Sequence, residues 1–285
     1  ILQCFLEAET SILLLSVVAH RWNLVLTRGA IFMKPVGISD ELLIDSRELG
    51  CTVDARVMAL GGSLLSADSD EIHGWIKGLA LILERRDSEG SATAIVVGGG
   101  AAARRGIDAA SSLTSDRDAL DRIGIAATRL NASMIREGLS GVGVRVSEIA
   151  PLSIEEAVAS MGNGVVVMGG TVPGHTTDCV AIELAIGMNA ESCLIATNVS
   201  HVYSSDPSTD SEATKIMRMS HEELRAIVGE ASEHKAGGRT VVDPVGAMRA
   251  REFNLNLDVV DGRDLAALES ALSGLPFNGT SIRGE

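Results

Sequence analysis

The 285 residues are 46% hydrophobic and 22% charged, enough apolar side chain for a sizeable core and the wrong balance for a disordered chain. Only 2% are aromatic, so Val, Ile, Leu and Ala must fill the interior, which favours buried parallel strands over an aromatic-rich sandwich. A formal net charge of −14 makes nucleic acid a poor general partner, while backbone N–H groups and a few local cations still suffice to hold a phosphate.

Residues 1–52 read differently from the rest. The apolar run Ile12 to Ala19 follows Glu7 and Glu9 with no Lys or Arg before it, the reverse of a signal peptide, and is too short to span a bilayer. The first candidate initiators are Met33 and Met58. An extension, non-native or disordered, is therefore expected over 1–52, and one α/β domain over 53–285. Cys4, Cys51, Cys179 and Cys193 form no CxxC pair, so neither a disulfide framework nor paired-cysteine zinc spacing is expected. Free thiols fit a reducing cytoplasm.

From about Asp54 onward strands and helices alternate. Val57 to Leu60 reads as a strand ending in Gly61-Gly62-Ser63, and a helix follows over Ser69 to Arg86 with Ile72, Ile76, Leu79, Ala80 and Leu83 at helical spacing. A strand over Ala92 to Val97 runs into Gly98-Gly99-Gly100, where a second helix begins. Helices are predicted over Asp118 to Glu137 and Ser153 to Ser160, and a strand over Val165 to Met168 ends in Gly169-Gly170. Then come a helix from Thr177, a strand over Cys193 to Ala196 and a polar loop to Asp210. Helices near His221 and Asp243, a strand over Leu255 to Val260, a helix over Asp264 to Ser273 and a strand near Thr280 complete the chain. This alternation predicts a mostly parallel sheet covered on both faces, with ligands beyond the C-terminal strand ends.

Three predicted strands end in glycine pairs or triples, which lets backbone amides approach an anion closely. Arg104, one turn into the helix after the triple glycine, could neutralise a transferring phosphoryl group or lie solvated on the helix. No GxxxxGK[ST] P-loop and no GxGxxG turn occurs. Gly169 to Asp178, GGTVPGHTTD, offers hydroxyl and amide donors between a strand and a helix start. Asp178 falls in the first helical turn, where a dipole complement is the plainer role. His175 is given no proton-transfer role, since an anionic phosphoryl acceptor needs no base. Thr197 to Pro207 carries polar side chains and the only tyrosine, suited to a base and ribose or to a plain surface loop.

In this order, LGGS at 60–63, VVGGG with Arg104, DRIGI at 121–125 with TRLNA at 128–132, VMGGTVPGHTTD at 167–178, TNV..VY..DP at 197–207 and VDP at 242–244 resemble the amino-acid-kinase family, specifically the archaeal-type uridylate (UMP) kinases. The resemblance covers about residues 55–285 and implies a three-layer αβα sandwich around a mostly parallel sheet. It further implies transfer of the γ-phosphoryl of ATP to UMP in pyrimidine nucleotide biosynthesis, Mg²⁺ carried by ATP, a homohexamer and a cytoplasmic location. The UMP-binding lobe would span about 53–168 and the ATP-binding lobe about 169–285.

By the same resemblance, Gly62, Ser63, Gly100 and Arg104 would contact ATP phosphates, and Thr197, Asn198, Tyr203 and Asp206 its base and ribose. Gly99, Asp121, Thr171, Val172, Pro173, Gly174, His175, Thr176 and Thr177 would bind UMP, Asp121 at the ribose. Asp178 would order the catalytic cations beside Arg104, with no separate protein metal site, and Lys215 stands where some relatives place a lysine.

The chain departs from the family pattern at Ser200-His201, usually Asp-Gly, at Met58-Ala59, where a lysine sometimes stands, and at Ala101, often Lys. Phosphate cations reduce to Arg104 with Lys215 or Arg129. The alternatives are a molybdenum or tungsten storage-type ATP-binding protein and a sister kinase for another small acid or phosphate. Only six scattered histidines, and Val97 beside the triple glycine, count against them.

Overall fold

The computed structural model describes residues 22–27, 30–35, 42–44, 54–207, 209–229 and 241–284. Contacts divide the chain into two units, residues 1–53 and 54–285. In the first, β1 (Trp22–Thr27), β2 (Ala30–Pro35) and β3 (Leu42–Ile44) form an antiparallel sheet. The rest of the expected extension lies outside the described residues.

The second unit begins with β4 (Ala55–Leu60), a 3₁₀ turn (Gly62–Ser66) and α1 (Ser69–Ser88), then β5 (Ala92–Val97) and α2 (Gly100–Ser111). Next are α3 (Arg117–Gly141), α4 (Ile154–Ser160), β6 (Val166–Met168) and α5 (Thr177–Gly187). β7 (Ser192–Thr197) leads to the short strands β8 (Val202–Tyr203), β9 (Lys215–Ile216) and β10 (Arg218–Ser220). The chain finishes through α6 (His221–Val228), α7 (Pro244–Glu252), β11 (Asn256–Asp261), α8 (Leu265–Leu272) and β12 (Gly279–Arg283).

Seven strands make one sheet in the order β10-β12-β11-β7-β4-β5-β6, every pair parallel except β11 with β12. Side chains alternate across a strand, so each central strand feeds two cores. Val57, Ala59, Ala94, Val96, Ile195 and Val259 pack with Val180, Ala181, Leu184, Leu224 and Ala247 on one face. Met58, Leu60, Ile95, Val97, Leu194 and Val260 pack with Leu79, Leu83, Ile135, Leu139 and Leu268 on the other. Helices α4 to α7 therefore cover one face and α1, α3 and α8 the other, the expected three-layer αβα sandwich. Because β4, β5, β6, β7 and β11 run the same way, their C-terminal ends meet at one edge.

At the opposite edge Arg86 is 3% exposed, donating to Thr93 Oγ1, to the Leu272 carbonyl and to Asp54. Its partners satisfy it, so this buried charge is structural.

Candidate functional site

Two glycine turns meet backbone to backbone. A methyl group on Gly62 would lie 2.5 Å from the Gly98 carbonyl oxygen and closer still to the Gly100 amide. Gly100 also holds φ at +55°, a left-handed value that L side chains rarely adopt. This seam between the ends of β4 and β5 is closed to any side chain. Asn131, from α3, fastens it by donating Nδ2 to the Gly98 and Gly99 carbonyls at 2.8 and 3.2 Å.

Side-chain caps separate this region from the rest of the fold. Asp68, Asp116, Ser153, Thr176, Ser220, Asp243 and Asp264 each accept from the first-turn amides of α1, α3, α4, α5, α6, α7 and α8. Among the described helices, only α2 and the 3₁₀ turn start without such a cap, at Gly99 and Gly61. Their leading N–H groups carry the positive end of the helix dipole at the glycine seam, where an anion would be stabilised.

Beside the seam lies a cavity of about 740 Å³ lined by Ser63, Arg104, Thr197, Asn198, Tyr203 and Asp206, six of the eight residues expected on the ATP side. Gly62 and Gly100 form the adjoining seam. The cavity wall also includes Val199, Val202 and Pro207, with Ala226, Ile227 and Val228 from the end of α6 and Val241. Arg104 is exposed and makes no ion pair among the described residues. Arg263, unnoticed in the sequence, donates to the Asn198 carbonyl at 3.1 Å while paired with Asp261 at 2.6 Å, and so ties the loop after β7 to the end of β11. Lys215 lies outside the cavity lining, opposite Tyr203 in the β8–β9 pair.

The loop after β6 is held from α3. Thr128 Oγ1 accepts from the buried Gly170 amide at 2.7 Å and donates to the Ile125 carbonyl at 2.6 Å. The Arg129 guanidinium donates to the Gly170 and Thr171 carbonyls at 3.1 and 3.2 Å, so it positions the loop and is not a free phosphate cation. The Gly174 amide donates to Asp121 Oδ2 at 2.8 Å, which joins Asp121 to the Thr171–Thr177 loop it was expected to work with. His175 N donates to the Val172 carbonyl at 3.4 Å and folds Val172-Pro173-Gly174-His175 into a turn. Thr176 caps α5 through the Cys179 amide. Thr177 reaches back to the seam, its Oγ1 3.4 Å from where a Gly98 methyl would stand. Gly99 lies on the same side, against Thr128.

Asp178 is half-buried, one residue beyond Thr177. Burial first, and the neighbouring Asp243 carboxylate second, push its carboxyl up to about 7, opposed by the Asp243 backbone N–H. Asp243 itself caps α7 by accepting from the Val245 and Gly246 amides. Two carboxylates thus share this corner. His201 is 1% exposed, and its Nδ1 lies 2.9 Å from Ser200 Oγ. Burial and then Lys215 lower its pKa.

The fold and this edge define an α/β protein with a glycine seam of uncapped helix starts set between a cavity and a hydroxyl-rich loop. Residues 54–261 match the family model described as the amino acid kinase family, and the chain belongs to that family. It is 41% identical over 229 residues to the uridylate kinase of Methanothrix thermoacetophila, spanning 80% of this chain and 98% of that one. Against the uridylate kinase of Methanopyrus kandleri it is 40% identical over 230 residues, 80% of this chain and 99% of the other. The crystal structure of uridylate kinase from Archaeoglobus fulgidus superposes with a TM-score of 0.67 at 35% identity, over 80% of this chain and 99% of that one.

Proposed function

We propose that this chain is a UMP kinase that transfers the γ-phosphoryl of ATP to UMP, giving UDP and ADP. The observation that carries the reading is the uncapped glycine seam between the cavity and the Asp121–Gly174 loop, in a chain about 40% identical to uridylate kinases along nearly their whole length. The cavity takes the ATP base and ribose through Thr197, Asn198, Tyr203 and Asp206. Gly62, Ser63, Gly100 and Arg104 receive its phosphates. Gly99, Asp121 and the segment Thr171 to Thr177 hold UMP, its phosphate facing the seam. On these assignments the donor side draws equally on 53–168 and 169–285, and the loop after β6 brings most of the acceptor contacts to Gly99 and Asp121. A cytoplasmic homohexamer is the assembly proposed; no described helix is long and apolar enough to cross a membrane.

Phosphoryl transfer is chiefly positioning plus stabilisation of charge on the transferring group. The seam amides fix the donor phosphates in line with the acceptor, and Arg104 offsets charge as it spreads over the equatorial oxygens. The residues fit a hard cation: Asp178 is a half-buried carboxyl group beside Asp243, and it forms no ion pair with Lys, Arg or His among the described residues. Asp178 would hold Mg²⁺ brought in by ATP, and the ion would supply neutralisation of phosphate charge. The cavity's apolar wall, Val228 and Val241 included, offers the base a nonpolar surface.

Transfer from γ-labelled ATP tests the reading: label should appear in UDP when UMP is supplied with Mg²⁺. Folded protein that binds ATP yet leaves UMP unlabelled would refute it.

A further inference from the structure

Away from the cavity, α5 and the loop before it bring three different ligand types together. Cys179 and Glu183 are four residues apart on α5 and therefore share one helix face. His175 precedes the Thr176 cap and folds over that face, with Nδ1 3.5 Å from Glu183 Oε2. The thiol, one imidazole nitrogen and one carboxylate oxygen all lie within 4.8 Å of one another. We propose that His175, Cys179 and Glu183 form a binding site for a zinc-class divalent cation, with water as the fourth ligand.

The donor set selects the metal. A mixed nitrogen, sulfur and oxygen triad with one open position suits zinc, whereas magnesium and calcium prefer oxygen alone. Metal–ligand bonds of about 2.0–2.3 Å need the three atoms drawn slightly closer. His175 is the adjustable member: it sits in a turn, and its side chain is 36% exposed. Cys179 is fixed by its burial and Glu183 by the helix. On binding, the thiol releases one proton and the imidazole coordinates in its neutral form. One thiolate and one carboxylate then balance the cation's two charges.

The surroundings favour a cation there. Burial first and Glu183 next push the Cys179 thiol up to about 12, so the cation itself must draw off its proton, while Asp243 and Asp178 add negative charge beside it. Arg249 approaches the other Glu183 oxygen, Oε1, at 3.8 Å, leaving Oε2 to face His175, and holds Glu252 more closely at 2.7 Å. Because His175 also belongs to the turn over Val172 to Gly174, a bound cation would pin that loop onto α5.

The test is titration of EDTA-treated full chain with Co²⁺ and then Zn²⁺, without nucleotide. One equivalent of Co²⁺ should give thiolate-to-metal charge-transfer absorption, displaced by Zn²⁺, and Zn²⁺ should raise the Tm. Cys179→Ser should abolish the charge-transfer band. Glu183→Gln, a near-isosteric change at a side chain 24% exposed, should weaken Zn²⁺ binding at least about tenfold. Wild-type protein with no charge-transfer band, or Zn²⁺ affinity unchanged in folded Glu183→Gln and Cys179→Ser, would overturn the assignment. Neither readout depends on kinase activity, so the result stands whichever substrate is established.

Discussion

Gly62→Ala tests the backbone seam directly. Gly62 is buried, and the added methyl group would stand 2.5 Å from the Gly98 carbonyl oxygen and nearer to the Gly100 amide, well inside the 3.5–4.0 Å of an ordinary contact. Both obstacles are backbone, so relief requires the turns after β4 and β5 to separate. Overpacking of this kind costs about 1–3 kcal/mol, and the two-sided clash places Gly62→Ala at the upper end. Lower entropy of the unfolded chain returns at most about 1 kcal/mol, leaving a net loss of about 2 kcal/mol. A displacement near 1 Å at the phosphate seam should also lower kcat about 100-fold. Gly174→Ala is the control: φ is +84°, but nothing lies within 4 Å, so left-handed strain of about 1–2 kcal/mol less the same entropy return of about 1 kcal/mol leaves a loss of at most about 1 kcal/mol, with a smaller kcat effect. Urea unfolding with ADP-release kinetics on both variants decides the matter. Gly62→Ala with the kcat and urea midpoint of Gly174→Ala would refute close packing of the turns.

Other consequences follow from the same geometry. Arg104→Ala should raise the barrier by about 3–4 kcal/mol, seen mainly in kcat, if the guanidinium acts on the transferring group; near-normal turnover would remove Arg104 from the mechanism. Thr128→Val keeps the shape but strips the acceptor from the buried Gly170 amide, and should cost about 1–3 kcal/mol in urea unfolding. His221 is 5% exposed with neither ring nitrogen hydrogen-bonded, and burial, then Arg251 and Arg283, lower its pKa against the opposing Glu222. As pH falls below about 6.5 the unfolded chain takes up the proton first, so His221 withdraws stability in acid. His221→Leu should therefore lose less stability than wild type between pH 7.5 and 5.5, measured by denaturant midpoints; equal losses would contradict the assignment.

Much of the fold was legible because the central strands are short, predominantly apolar and in several cases followed by glycine. Ala92 to Val97 reads identically from sequence and structure for that reason. α3 runs to Gly141, beyond the expected Glu137, although Gly138, Ser140 and Gly141 are poor helix formers, because Leu139 is wholly buried and packing carries the extra turn. β8 and β9 are two residues each, too short for an alternation to register. In the site, glycine turns and hydroxyl loops announced themselves through local composition. Arg263 and the apolar wall from Val228 and Val241 did not, since only the folded chain brings them to the loop after β7. His175 and Cys179 were noted singly and Glu183 was not; their convergence depends on the turn at Gly174 and the register of α5.

The central claim is tested most directly by ADP release from Mg-ATP with UMP, CMP, dUMP and isopentenyl phosphate offered separately to folded protein. Turnover with UMP far exceeding that with isopentenyl phosphate is the predicted result. Preferred turnover of isopentenyl phosphate, or none with any acceptor in protein that binds ATP, would contradict it.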